Sequence, residues 1–252
     1  RLVSKPESVV TLLGLFDDVR AAGRAVSAII ARGLVPRCIE LLDAATLAAV
    51  RDRGVPVDAR ARALLIIEID GDAHACETGT QQVGDACTEA GALDVLVAQD
   101  EAQRDRLWDA RRKLSPITRA MARFKISEDV VVPRTKIPDL LNAIDAIAES
   151  TGVRMLTYGH AGDGNLHTNF LWDDPDDAAR VDVALERLFR AVIDLRGTLS
   201  GEHGIGTSKA AYLPLEQSAP LIDLQRRIKG VFDPKGLLNP GKIFPRKGHG
   251  AC

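Results

Sequence analysis

The sequence has few cysteines and no long apolar run. Its four cysteines among 252 residues show no CxxC spacing, which argues against a disulfide framework and a cysteine-based zinc site. No apolar stretch reaches the roughly 20 residues that span a bilayer. The first six residues also lack the apolar core of a signal peptide. These absences predict a reducing, cytoplasmic compartment and no transmembrane segment.

The chain also lacks an excess of charge and the usual nucleotide-binding loops. Its 33 basic and 35 acidic residues give a net charge of −2, which disfavours nucleic acid and anionic membranes as partners. Neither a GxGxxG motif nor a Walker loop occurs. If the chain handles a nucleotide cofactor, it therefore lacks both standard means of holding one.

What is present is the composition of a globular protein, with 46% apolar and 27% charged residues. The first hundred residues form two similar units, each with a strand, a helix and a second strand. The predicted strands lie at 9–16, 35–42, 64–69 and 93–98. Two such units predict an α+β fold, with a ferredoxin-like antiparallel sheet and helices packed on one face. A parallel α/β sheet is the alternative.

The second half of the chain continues with helices and strands and ends in a helical segment. Helices are predicted at 100–123 with a break near Pro116, at 137–150, at 173–195 and at 220–231, and strands at 128–133 and 153–158. No low-complexity linker divides the chain. We therefore expect residues 1–245 to form one composite domain and residues 246–252 a flexible tail.

Glycines and histidines are concentrated in YGHAGDGNLH at 158–167. Asp163-Gly164 favours a two-residue hairpin turn. Such a turn places His160 directly opposite His167, with Cβ atoms roughly 4.5 to 5.5 Å apart. At this separation two imidazoles are able to share one metal ion.

A second glycine-framed segment, SGEHGIG at 200–206, contributes Glu202 and His203. Two histidines and a carboxylate are typical of zinc, manganese or iron sites that leave coordination positions open for a substrate. The alternative is that the glycines only form tight turns and that the histidines are bonded to the backbone. Spacing alone leaves both interpretations open.

Three segments together resemble a known family. They are YGHAGDGNLH at 158–167, SGEHGIGTSK at 200–209 and FDPKGLLNPGKIF at 232–244. In this order they resemble the C-terminal half of FAD-linked oxidases of 2-hydroxy acids, a family that includes the glycolate oxidase flavoprotein subunit, D-lactate dehydrogenases and D-2-hydroxyglutarate dehydrogenase. The resemblance implies that this chain is the substrate-capping domain. It also implies that an N-terminal domain, absent from the chain, holds most of the FAD.

The resemblance assigns roles to the histidines and the glutamate. It implies that His160, His167 and Glu202 bind a divalent metal ion, zinc, manganese or iron. It implies that His203 is the general base that takes the hydroxyl proton while a hydride passes from C2 of the substrate to the flavin. An alternative for His203 is hydrogen-bonding support for Glu202.

The resemblance also implies three contacts with the substrate and one with the flavin. These residues are Arg111, Lys125 and Asn169 for the substrate and Asn239 for the flavin edge. Arg111 would clamp a carboxylate and Lys125 would supply a point charge. Without the resemblance, Arg111 would be interpreted as a solvated charge and Asn239 as part of a turn. The spacing from Lys125 to Pro133 is longer than in the hydroxyglutarate-type members.

The function implied is oxidation of a D-2-hydroxy acid, of the glycolate or D-lactate type, to the 2-oxo acid. The chain alone is expected to be inactive without the FAD domain. Because it has no iron–sulfur or haem motif, an electron-acceptor protein or subunit is a further expected partner, and it would place the enzyme in the cytoplasm or at a membrane surface. Two other classes remain open: a non-catalytic assembly or binding domain of a flavoprotein complex, and a stand-alone metallohydrolase.

Overall fold

The computed structural model describes residues 5–244, so the predicted tail at 246–252 lies outside the described residues. The strands are β1 (Ser8–Phe16), β2 (Cys38–Leu42), β3 (Ala63–Gly71), β4 (Asp94–Val97), β5 (Phe124–Val131), β6 (Arg154–His160) and β7 (Asn165–Trp172). The helices are α1 (Val19–Ala31), α2 (Ala44–Arg51), α3 (Ala73–Glu89), α4 (Glu101–Arg112), α5 (Leu114–Arg119), α6 (Ile137–Thr151), α7 (Ala178–Asp194), α8 (Leu213–Glu216) and α9 (Ala219–Phe232). Among residues 5–244, no helix has the length and apolarity needed to cross a bilayer.

The seven strands form one sheet in the order β4-β1-β3-β2-β6-β7-β5, and every pairing is antiparallel. The first four strands have the order of a ferredoxin-like unit, with α1 and α3 as the connecting helices. The predicted α+β, ferredoxin-like antiparallel sheet is therefore confirmed, and the parallel alternative is wrong.

The second half of the chain repeats most of this arrangement. Strands β5, β6 and β7 with helix α6 follow the pattern of the first three strands of a ferredoxin-like unit. Where a fourth strand would lie beside β5, Thr198 makes an isolated bridge to Val131. The two units join edge to edge where β2 pairs with β6. The segment that follows Thr198 carries Glu202 and His203. The bridge at Thr198 therefore lies just before a predicted site segment.

Aspartates determine where the first four helices begin. Asp18, Asp43, Asp72 and Asp100 each accept a hydrogen bond from a backbone N–H in the first turn of the following helix. Such a cap stabilises a helix by about 1 kcal/mol. Asp43 also accepts the backbone N–H of Thr157 at 2.7 Å. It thereby ties α2 to β6, three residues before His160.

The main core lies between one face of the sheet and the helices α1, α3, α6 and α7, where side chains such as Phe16, Phe170 and Phe189 are fully buried. On the opposite face, residues of α2 and α5 pack over Leu15, Leu42 and Tyr158. Polar side chains are concentrated on this second face, near the junction of β2 and β6.

Several boundaries differ from the sequence prediction. Strand β2 begins at Cys38 rather than at 35, and β5 covers 124–131 rather than 128–133. The charged helix breaks at Lys113, not near Pro116. Pro116 lies in the first turn of α5, where its missing N–H has no helical partner to lose, so it does not interrupt the helix.

Candidate metal and substrate site

Four neighbouring strands direct polar side chains to one face of the sheet. Glu40 on β2 lies opposite His160 on β6, and Tyr158 on β6 lies opposite His167 on β7. Asp129 on β5 lies opposite His167 from the other side. Because alternate residues of a strand share a face, all five side chains lie on the same side of the sheet.

The hairpin that carries the two histidines has a different register from the predicted one. His160 pairs with Asn165, and the loop comprises residues 161–164 instead of Asp163 and Gly164 alone. His160 is therefore diagonal to His167, with ring centroids 5.5 Å apart, and not directly opposite. A shift of two residues keeps each side chain on its predicted face, so the two imidazoles still meet.

A contact with a distant strand end accounts for the wider loop. The N–H of Val132, just after β5, donates to the carbonyl of Gly164 at 3.1 Å. Gly164 has φ +78°, and a Cβ there would lie 2.1 Å from the Val132 carbonyl oxygen. Only glycine fits this position, so the packing of the loop against β5 sets the register.

His160, His167 and Glu202 come together as the sequence predicts. Each offers one ligand atom, and these atoms lie within 4.8 Å of one another. His167 Nε2 is 3.3 Å from Glu202 Oε1. This distance already lies in the range of about 3 to 4 Å expected between two ligands of one ion.

The two histidines have pKa values shifted in opposite directions. Burial lowers the pKa of His167, although Glu202 partly opposes the shift. The hydrogen bond from its ring to Glu40 raises the pKa of His160, and burial opposes this. At neutral pH His167 is therefore in the neutral form, with a lone pair for a metal ion.

Asp129 holds the loop that carries Glu202 and His203. It is fully buried, and its Oδ2 accepts the backbone N–H groups of Gly201, Glu202 and His203 at 2.8, 2.5 and 2.8 Å. Its Oδ1 accepts Lys209 Nζ at 2.5 Å. Burial alone would raise the pKa of Asp129, but Lys209 and the N–H groups of Glu202 and His203 outweigh it and hold the pKa well below its usual range.

Gly201 allows this loop to approach the sheet. A Cβ at this position would lie 2.6 Å from Asn165 Nδ2 and 2.7 Å from Val131 Cγ2. A side chain there would push the loop away from β5 and β7. The glycine before Glu202 is thus required for the close approach of the loop to the two histidines.

His203 completes the cluster. Its ring stacks on that of His167, with centroids 5.4 Å apart. Its Nδ1 lies 3.4 Å from Asp129 Oδ1, and its Nε2 lies 4.0 Å from Glu202 Oε1. The side chain is 47% exposed. Nε2 is therefore the ring nitrogen on the side of the metal cluster.

Arg111 lies beside this cluster and is not a solvated charge. Its side chain is only 13% exposed, and its guanidinium lies 5.0 Å from the centroid of the Tyr158 ring. Nε donates to Glu40 Oε2 at 2.7 Å, and Nη2 is 2.6 Å from the same oxygen. Glu40 in turn contacts His160, so Arg111 is linked to a candidate metal ligand.

The other three predicted contacts, Asn169, Lys125 and Asn239, lie in different parts of the structure. Asn169 is fully buried, its Nδ2 donates to the carbonyls of Leu156 and His167, and its Oδ1 has no hydrogen-bond partner. Lys125 donates to Thr118 and lies about 13 Å along β5 from Asp129, so it is not brought to the cluster. Asn239, with φ +45°, lies exposed in the segment after α9.

Sequence reasoning missed three residues of the site: Glu40, Asp129 and Lys209. A signal was present for the first two. Glu40 is the only acidic residue of the otherwise apolar β2, and Asp129 directly precedes three valines. A buried carboxylate needs hydrogen-bond partners or a cation. Lys209 is 3% exposed and lies within the quoted SGEHGIGTSK segment, but nothing in the spacing connected it to Asp129.

Comparison with known proteins shows the family of the chain. Residues 5–243 match the family described as FAD linked oxidases, C-terminal domain. The chain belongs to this family. This FAD-linked oxidase domain is 39% identical to the glycolate oxidase subunit GlcD of Bacillus subtilis, over 98% of the chain and 53% of the relative. It is 36% identical to GlcD of Escherichia coli K12, over 97% of the chain and 50% of the relative.

The FAD-linked oxidase domain also resembles a probable mitochondrial D-lactate dehydrogenase of Danio rerio, with 32% identity over 97% of the chain and 50% of the relative. The chain thus spans about half the length of these relatives. Among solved structures, p-cresol methylhydroxylase with substrate bound has a TM-score of 0.74 at 12% identity, over 99% of this chain and 55% of that one. This likeness shows a shared fold.

Proposed function

We propose that this chain is the substrate- and metal-binding half of a flavin-dependent enzyme that oxidises a D-2-hydroxy acid, of the glycolate or D-lactate type, to the 2-oxo acid. One observation carries the proposal. Two histidines and a glutamate bring ligand atoms within 4.8 Å of one another beside a further histidine, in a chain of the FAD-linked oxidase family. The names of the relatives support this substrate class.

The donor set fits a divalent metal ion. Two imidazoles and a carboxylate suit zinc, manganese or iron, and His160, His167 and Glu202 would hold the ion. The chain has no GxGxxG or Walker loop, which supports an N-terminal domain as the main FAD site, with Asn239 proposed as a contact at the flavin edge. When bound, the metal supplies positive charge that lowers the pKa of the 2-hydroxyl, and FAD supplies the hydride acceptor.

His203 supplies the base for this reaction. Its Nε2 takes the proton of the substrate hydroxyl, because Nδ1 is directed to Asp129 Oδ1. Asp129 keeps its negative charge and stabilises the imidazolium that forms, and it also holds the backbone of His203 by accepting its N–H. His203 and Glu202 are adjacent in one loop, so the base and the proposed ligand are positioned together.

Arg111 is the proposed partner of the substrate carboxylate. A guanidinium has five N–H donors. In Arg111, Nε and Nη2 already face Glu40. The remaining N–H groups are the ones assigned to the substrate. Asn169 is the proposed neutral contact through Oδ1. Lys125 remains a predicted contact, and it requires a substrate or a neighbouring domain that extends along β5.

An electron acceptor protein is the remaining proposed partner. The chain has no iron–sulfur or haem motif, and two relatives bear the name of a subunit, which supports transfer to a separate polypeptide. The cytoplasmic compartment, alone or with attachment to a membrane through that partner, stays a prediction.

Anaerobic flavin reduction tests the proposed function. The full-length protein is mixed with glycolate, D-lactate, L-lactate and D-2-hydroxyglutarate, and the loss of oxidised-flavin absorbance is followed. We expect reduction by glycolate or D-lactate, with L-lactate much slower. A flavin that stays oxidised with all four acids contradicts the proposal.

Two further measurements on the same protein test the alternative functions, a non-catalytic assembly domain and a metallohydrolase. Reduction that is unchanged in Glu202→Gln would favour a non-catalytic assembly role for this chain. Ester or phosphate hydrolysis by the flavin-free protein would favour a metallohydrolase. We expect neither result.

A further inference from the structure

Glu40 contacts a proposed metal ligand and a proposed substrate contact at the same time. Its Oε1 lies 2.5 Å from His160 Nδ1, and its Oε2 lies 2.7 and 2.6 Å from Nε and Nη2 of Arg111. Only 5% of the Glu40 side chain is exposed. Its strand, β2, belongs to the first ferredoxin-like unit, whereas His160 belongs to the second.

The contact with Nδ1 determines which nitrogen of His160 faces a metal. An imidazole binds a metal ion through the nitrogen that carries no proton. A carboxylate beside Nδ1 keeps the proton on that nitrogen and leaves the lone pair on Nε2. His160 is the last residue of β6 and its side chain is 38% exposed, so the protein around it restricts the ring only in part. The hydrogen bond to Glu40 therefore fixes both the tautomer and the ring orientation.

Arg111 is what allows Glu40 to stay charged in this buried position. A buried carboxylate without a cation is strongly unfavourable. The guanidinium meets Glu40 on the oxygen that His160 does not use, so the three side chains form a chain from Arg111 through Glu40 to His160.

We propose that Glu40 is a positioning residue of the metal centre, which holds His160 with Nε2 directed to the ion while it holds Arg111 beside the substrate. This inference rests on the proposed function, because it requires His160 to be a ligand. It adds a residue from β2 to a metal site whose three proposed ligands all lie in the second half of the chain.

Metal affinity tests the proposal. The full-length enzyme is stripped of metal with a chelator and titrated with Zn²⁺ in competition with a fluorescent indicator. We expect Glu40→Gln to raise the Kd for Zn²⁺ by about 10- to 100-fold, the range typical for loss of a hydrogen-bond partner of a metal-binding histidine. A Kd within about twofold of the unchanged protein overturns the proposal.

Glu68→Gln is the matched control. Glu68 lies on the same sheet face one strand away, is similarly buried, and accepts hydrogen bonds from Thr11 and Trp108 rather than from a proposed ligand. Its Zn²⁺ affinity should not change. Equal weakening in Glu40→Gln and Glu68→Gln would show a general effect of losing a buried charge and would contradict the specific role.

His160→Ala separates this inference from the proposed function. If His160→Ala abolishes Zn²⁺ binding and Glu40→Gln leaves it unchanged, only the role of Glu40 is wrong. If His160→Ala has no effect on binding, the metal site itself is wrong, and the role of Glu40 fails with it.

A second variant and a spectroscopic measurement address the case in which Glu40→Gln does not fold. Glu40→Asp keeps the negative charge for Arg111 but shortens the reach to His160, and the same loss of Zn²⁺ affinity is expected. In the metal-free protein, at a pH high enough to make His160 neutral, ¹⁵N NMR should show its remaining proton on Nδ1. A proton on Nε2 would contradict the proposal, whatever the stability of the variants.

Discussion

His203→Gln in the full-length flavoenzyme is expected to lower kcat by about 10²- to 10⁴-fold, the usual contribution of a general base. The reason is local. Nε2 of His203 lies on the side of the metal cluster, Nδ1 faces Asp129, and no other imidazole in the cluster is without a proposed metal contact. Glutamine keeps a polar side chain of similar reach but does not accept a proton at neutral pH. The measurement is the rate of flavin reduction at saturating substrate.

Metal content separates the role of His203 from that of the ligands. Because His203 is outside the proposed set of His160, His167 and Glu202, the variant should retain its metal ion. His74→Gln, a change at an exposed histidine at the start of α3, is the control and should leave both the rate and the metal unchanged. Loss of metal from His203→Gln equal to that from His167→Ala would contradict the separate roles.

Asp129→Asn is expected to lower the free energy of unfolding by about 3 to 5 kcal/mol, the range for breaking a buried ion pair. It should also reduce turnover. The carboxylate accepts three consecutive backbone N–H groups and the Lys209 ammonium, and an amide directs an NH₂ group at some of these donors. Lys209 would then be buried without one of its carboxylates. Urea denaturation and flavin reduction rates measure the two effects.

Asp182→Asn is the control for this change. Asp182 is exposed on α7, which packs against the opposite face of the sheet, so both quantities should stay within error. Asp129→Asn with unchanged stability would show that the Asp129 carboxylate does not hold the loop. Reduced stability with full turnover would show that the position of Glu202 and His203 does not depend on the Asp129 carboxylate.

The fold was predictable where the signals are local. Alternating strand and helix patterns predicted the first ferredoxin-like unit, because this signal lies within a few residues of the element that it defines. The junction of β2 with β6 was not predictable in this way. It pairs Glu40 with His160 across a long separation in the chain, and periodicity carries no information on which strand edges meet.

The same distinction explains the outcome at the hairpin. The turn chemistry of Asp163-Gly164 predicted that His160 and His167 meet. Because alternate residues of a strand share a face, a register shift of two residues leaves both side chains on the predicted face. The exact register depended on Val132, which contacts the loop from the end of β5. A non-local contact of this kind is invisible to turn propensity.

The residues that hold the site were harder to predict than those that carry its chemistry. Histidines framed by glycines are recognisable by type and spacing, whereas nothing in the local sequence identifies the partner of a buried acidic residue. The partners of Asp129 and Glu40 are Lys209 and Arg111, which lie in distant segments of the chain. The sequence also could not show that Arg111 already faces a carboxylate of its own chain.

Elemental analysis of the purified, dialysed full-length protein is the most direct test of a metal centre formed by His160, His167 and Glu202. We expect about one zinc, manganese or iron ion per chain. That metal should be lost in His167→Ala and retained in His203→Gln. A catalytically active flavoprotein that contains none of these metals, and whose turnover is unaffected by His167→Ala, would contradict a metal-binding role for these residues.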